Sequence, residues 1–114
     1  MAKLVFHLFH DDAGSLSTVP ALVERMMKAE PRSGVDLEVY IFGSAEAALA
    51  NAKHVEFNAQ VDSVIKLGAS VSACIGLAQK FGVEEAFRSR GIALESAATA
   101  FPRFAIEGAT VITF

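Results

Sequence analysis

Short apolar runs alternate with segments of helical period along the whole chain. Residues 3–9 are nearly continuous in apolar side chains, the pattern of a strand covered on both faces. The polar stretch His10-Asp11-Asp12-Ala13-Gly14 ends it. Leu16, Val19, Leu22, Val23, Met26 and Met27 then recur at the three-and-four spacing of one helix face. Ser17 or Thr18 is the expected N-cap, with Pro20 in the first turn and Pro31 closing the helix. Residues 37–42 read as a second strand. Gly43-Ser44 breaks it, and Ser44 is expected to cap a short alanine-rich helix reaching about Ala50. Asn58 is the expected cap of a helix carrying Val61, Val64 and Ile65, with Gly68 at its left-handed stop. Residues 69–74 form a third strand, followed by short helices at 75–81 and 83–90, stopped by Gly82 and Gly91. Residues 92–95 make a fourth strand. Thr99 should cap a last helix with Pro102 in its first turn and Gly108 after its end, and 110–114 form the fifth strand.

The regular exchange of strand and helix, with no tight hairpin dipeptide between strands, predicts one α/β domain over residues 1–114. Its mainly parallel five-stranded sheet has helices on both faces in three α/β/α layers. Ligands and chemistry in such sheets gather beyond the carboxyl ends of the strands. Three places therefore draw attention: the loop 10–15, Gly43-Ser44, and Cys74 with the start of the helix after it.

Composition changes the picture in two ways. At 114 residues and 53% apolar, the chain is rich in hydrophobic side chains for so small a body, which predicts a buried partner surface as well as a core. Phe57, Phe81, Phe87, Phe101 and Phe104 lie outside the strands, and several of them are expected to bury against neighbouring copies of the chain. Ten basic residues against 13 acidic ones give a net charge of −3 with no basic stripe, which argues against nucleic-acid binding. No apolar stretch approaches the roughly 20 residues of a membrane helix, and no signal peptide is legible, so a cytoplasmic protein is expected. A single cysteine excludes an internal disulfide and a cysteine-rich metal site.

That cysteine, Cys74, is the leading site residue. It is predicted to end a strand and immediately precede a helix, where free backbone N–H groups favour a thiolate. Gly76 would let another group approach closely. The competing reading is a buried cysteine acting as a small apolar residue. His7, His10 and Asp11-Asp12 are candidates to carry or orient a proton. His10 faces Cys74 only if the first and third strands are close, whereas His7 reads as an interior or sheet-face histidine. Asp11 and Asp12 read as loop or capping residues rather than metal ligands. Gly14-Ser15 before a helix is a weak phosphate cradle, with one glycine and no Lys-Ser or Lys-Thr following. No cofactor and no metal are called for.

These residues resemble the DsrE/DsrF-like family, which includes the YchN-like proteins. The resemblance runs through Leu4-Val5-Phe6-His7, Val39-Tyr40-Ile41-Phe42-Gly43, Arg90-Gly91-Ile92 and the C-terminal Glu107-Gly108-Ala109-Thr110-Val111-Ile112-Thr113-Phe114. Its most specific part is Leu67-Gly68-Ala69-Ser70-Val71-Ser72-Ala73-Cys74. The resemblance implies a three-layer domain assembled as a homotrimer or homohexamer. It also implies a sulfur relay in which Cys74 carries sulfane sulfur as a persulfide between a donor and an acceptor protein. With no second cysteine in the chain, the acceptor thiol must belong to another molecule. Two alternatives stand beside it: a non-catalytic oligomeric module holding a small anionic or nucleotide-like ligand at the strand ends, and a scaffold with no small ligand.

Overall fold

The computed structural model describes residues 2–29 and 34–114. Strand β1 (Ala2–Leu8) leads into helix α1 (Ala13–Lys28), and β2 (Val35–Ile41) into α2 (Gly43–Leu49) and α3 (Val55–Lys66). Strand β3 (Ser70–Ala73) is followed by α4 (Ile75–Lys80) and α5 (Glu84–Ser89), then β4 (Ala93–Leu94), α6 (Ala97–Ile106) and β5 (Thr110–Thr113). The five strands form one sheet in the order β4-β3-β2-β1-β5. All four adjacent pairs are parallel among the described residues.

Topology decides where the helices go. The first three crossovers step across the sheet in one direction, whereas the connection from β4 to β5 jumps back past β1. With right-handed crossovers, this sends α6 to the face opposite the other helices. The two cores show the division. Phe6, Leu8, Val39, Ile41 and Val71 pack with Val19, Val23, Val61, Val64 and Phe87 on the helix-rich face. Val5, Tyr40 and Cys74 pack with Ala100 and Phe104 of α6 on the other.

Helix starts differ most from the sequence reading. Helix α1 begins at Ala13, because Asp12, rather than Ser17 or Thr18, is its N-cap and accepts from the Ser15 N–H at 3.0 Å. Pro20 therefore lies inside the helix, and the expected stop at Pro31 lies outside the described residues. Phe42 precedes α2 without a side-chain cap, and the Ser44 hydroxyl donates instead to the Phe9 carbonyl. Asn58 lies within α3, its amide donating to the His54 and Asn51 carbonyls. Ser96, not Thr99, caps α6, which places Pro102 beyond the first turn. A serine or asparagine that satisfies a distant carbonyl no longer serves as a cap, and that choice is made by tertiary structure. The stops follow expectation: Gly68, Gly82, Gly91 and Gly108 all take positive φ.

Of the phenylalanines outside the strands, Phe57, Phe87 and Phe104 are buried within the chain's own cores, whereas Phe81 is exposed and Phe101 half-buried. Exposed apolar side chains include Val55 on α3 and Ile106, Val111 and Ile112 on α6 and the edge strand β5.

Candidate functional site

Alternation along the strands places an unusual set of side chains on the α6 face. His7 of β1 pairs in register with Tyr40 of β2, and Tyr40 with Ser72 of β3. One side-chain step further toward the carboxyl ends come Phe9, Phe42 and Cys74. Gly43 shapes this rim. Its φ of +62° favours glycine, and a Cβ there would run into the Phe9 ring.

Cys74 falls where the sequence places it, after β3 and as the N-cap of α4. Its thiol makes no capping hydrogen bond to the helix. The side chain is buried, but the sulfur lies under an exposed glycine. A Cβ on Gly76 would stand 3.9 Å from Sγ, and none is there to narrow the approach. The Cys74 backbone N–H is shared between the Ile41 carbonyl at 3.3 Å and Oε1 of Glu46 at 3.1 Å.

Glu46 and Tyr40 complete the surroundings of the thiol. Glu46 is 0% exposed, and burial pushes its carboxyl up to about 8 against the opposing pull of the Cys74 N–H. It is thus a neutral acid at pH 7. The hydroxyl of Tyr40, the only tyrosine, donates to the Glu95 carbonyl at 2.7 Å and lies beside Cys74. Burial first, then Cys74, Glu46 and Glu95, hold that phenol above its ordinary range.

His7 closes the other side. Nδ1 meets the Thr113 hydroxyl at 3.0 Å, while Nε2 is buried with no partner among the described residues. Phe9, Tyr40, Phe42 and Phe101 surround the ring. Burial, and then repulsion from His10, lower its basicity, so the imidazole is neutral at pH 7.

An ionic lattice fixes the amino-terminal half of this face. Glu38 accepts from Arg103 at 2.7 Å and Lys3 at 2.9 Å, and Arg103 also binds Glu95 at 2.8 Å and Glu107 at 3.1 Å. Burial alone would raise the Glu38 carboxyl, but the bonds from Arg103 and Lys3 outweigh it and hold it low. The lattice anchors Glu95, whose carbonyl holds Tyr40, so α6 and the thiol's neighbourhood are positioned together. Lys3 and Arg103 are both engaged in it.

The remaining sequence candidates separate from Cys74. His10 is exposed and stands edge-on to Phe9, with β2 between its strand and β3, and no bond joins it to Cys74 among the described residues. Asp12 is the α1 cap. Its carboxylate accepts from the Ser15 N–H at 3.0 Å and the Ser15 hydroxyl at 2.8 Å, two donors that a phosphate cradle at Gly14-Ser15 would use. A groove of about 450 Å³ lined by Leu49, Val55, Asn58, Val83, Phe87 and Arg90 lies over the helix-rich face, away from the thiol. Among the described residues, no three His, Cys, Asp or Glu side chains converge as a metal-holding group, and no helix is long and apolar enough to cross a membrane.

Sequence reasoning passed over Glu46, Tyr40 and Glu95. Glu46 did carry a signal, since it is the one charged residue among Ala45, Ala47, Ala48 and Leu49 directly after a strand.

Fold and site together define a small α/β/α protein with an all-parallel sheet and a thiol at a strand-to-helix junction. It is similar to two solved structures of proteins of unknown function. One is BT1422 from Bacteroides thetaiotaomicron, with TM-score 0.79 and 14% identity over 98% of this chain and 94% of that one. The other is MTH1491 from Methanobacterium thermoautotrophicum, with TM-score 0.78 and 20% identity over 100% of both chains. At such identities the likeness establishes the fold. No protein-family model matches the chain, and no curated protein matches it in sequence.

Proposed function

We propose that the protein is a DsrE/DsrF-like sulfur carrier that holds sulfane sulfur on Cys74 and passes it to a thiol of another protein. The observation that carries this reading is the setting of Cys74. The only cysteine stands at a strand end, under the bare backbone of Gly76, and shares its N–H with a buried acid. In loading, the Cys74 thiolate attacks the outer sulfur of a donor persulfide R–S–SH. The new Sγ–S bond replaces the donor's S–S bond, and R–S⁻ departs. Delivery reverses this, with an acceptor thiolate attacking the outer sulfur and releasing Cys74 thiolate, so no external oxidant or reductant is consumed.

A cytoplasmic homotrimer or homohexamer belongs to the same reading, with Ile106, Val111 and Ile112 supplying apolar surface for contacts between copies. The alternative of an anion-binding module has less support. Asp12 occupies the start of α1, and Lys3 and Arg103 are committed to carboxylates.

Intact-mass measurement after incubation with a sulfane-sulfur donor tests the proposal. A one-sulfur adduct removed by reductant, and absent from Cys74→Ala, is expected. No adduct on the wild type, or one that survives the substitution, refutes it.

A further inference from the structure

Glu46 is hard to explain as a structural residue. A fully buried carboxyl group is costly unless its oxygens are paired. Glu46 has one oxygen on the Cys74 N–H, while Oε2 has no partner and no solvent among the described residues. The bond that is made is also partly redundant, because the Ile41 carbonyl accepts from the same N–H. A glutamine or an alanine would cap as well or pack more cheaply. The unexplained oxygen lies on the carboxyl that touches the reacting residue.

We propose that Glu46 is the proton-transfer partner of Cys74, giving its proton to the sulfur that leaves and regaining one from the sulfur that arrives. The proposal rests on the sulfur-carrier reading and deepens it. In loading, Cys74–S⁻ attacks R–S–SH, and R–S⁻ leaves with the proton of Glu46 as R–SH. The Cys74 persulfide then gives its proton to the Glu46 carboxylate and remains as Cys74–S–S⁻. Cys74–S⁻ and R–S–SH have become Cys74–S–S⁻ and R–SH, and Glu46 ends as it began. Burial keeps this carboxyl protonated at neutral pH, as a donor must be. The titratable residues it meets are Cys74, through its backbone N–H, and Tyr40 of β2, whose hydroxyl is held by the carbonyl of Glu95.

Two measurements on wild type and Glu46→Gln test the role separately from the reading beneath it. Sulfur loading from a small alkyl persulfide is followed by mass against pH. The ratio of wild-type to Glu46→Gln loading rates, in which ionisation of the thiol and of the persulfide cancels, should be about 100 below pH 8 and fall as pH rises through about 8, where Glu46 loses its proton. Equal rates and equal profiles overturn the role of Glu46 while leaving Cys74 as the carrier. Methylthiolation of Cys74 by methyl methanethiosulfonate needs no sulfane sulfur, so it reports on the pair even if loading never occurs. Ionised Glu46, bonded to the Cys74 N–H, should make the wild type slower than the variant above pH 8; superimposable profiles overturn the coupling. If Glu46→Gln does not fold, difference infrared spectroscopy of the wild type decides. The carbonyl band of a protonated carboxylic acid should vanish as pH rises through about 8 and shift when Cys74 is methylthiolated. Absence of that band refutes the proposal.

Discussion

The two faces of the sheet are built by different rules. The helix-rich face buries Val19, Val23, Val39, Val61, Val64, Val71 and Phe87 in an interior of hydrocarbon, with Arg90 bonded to Asp62 at 2.8 Å toward its surface. Strand residues of the α6 face include His7, Glu38, Tyr40, Ser72 and Cys74, and Glu46 reaches the Cys74 amide at the rim. One helix covers that face, and ions and hydrogen bonds tie it down where area alone would not. The difference assigns labour: one face supplies most of the hydrocarbon packing and leaves only Asn58 Oδ1 unpaired on α3 among its described residues, while the other keeps His7 Nε2, and its rim Glu46 Oε2, unpaired.

If that division holds, the largest single loss should come from the face that carries no chemistry. Phe87 is 1% exposed, and Phe87→Ala removes most of a ring from a packed core. The expected cost is about 3–5 kcal/mol in chemical denaturation. In the population that remains folded, Cys74 should keep its wild-type methylthiolation rate. A change in that rate comparable to the stability loss would mean that the faces are not independent.

A smaller loss is expected from the lattice. Arg103→Met keeps an unbranched apolar stem but removes the guanidinium from over the Phe104 ring and from Glu38, Glu95 and Glu107. Breaking a buried ion pair costs about 3–5 kcal/mol. Arg103 is one-third exposed and Lys3 still serves Glu38, so about 2 kcal/mol is expected here. Unlike Phe87→Ala, this change should alter the Cys74 methylthiolation rate, because Glu95 loses its anchor and Tyr40 is held by the Glu95 carbonyl. Loss of stability with an unaltered rate would show the lattice to be mechanical only.

Sequence pattern was sufficient for the sheet because strands covered on two faces leave continuous apolar runs, and glycine stops mark where helices must turn. The junction at Cys74 was legible for the same reason. Helix starts were harder. Gly14 reads as part of the loop and Pro20 as a first-turn residue, yet α1 starts at Ala13 behind the Asp12 cap and carries Pro20 in its interior. The site was half legible. A cysteine announces its chemistry, whereas Tyr40 reads as a strand former and Glu46 as a solvated helix residue. Only the approach of α2 to the end of β3 makes Glu46 a buried acid beside a thiol.

The smallest expected effect isolates the other unpaired group on the α6 face. The basicity of His7 is lowered in the fold, so as pH falls below 6.5 the unfolded chain takes up its proton before the native protein does. Its contribution to stability is therefore present above pH 6.5 and is lost as pH falls through the lower, folded value. Glu46 works the other way. Its carboxyl is raised from 4.5 to about 8, so its contribution is full below pH 4.5 and is lost as pH rises through about 8. A single stability curve mixes the two. The difference between wild type and His7→Phe removes the Glu46 contribution, because phenylalanine keeps a ring among Phe9, Phe42 and Phe101 and leaves Glu46 untouched. As pH falls from about 7.5 to 5, that difference should move against the wild type, read from urea midpoints. A flat difference would mean that the ring is as well solvated in the fold as in the unfolded chain, and the unpaired Nε2 would then be no part of what distinguishes the two faces.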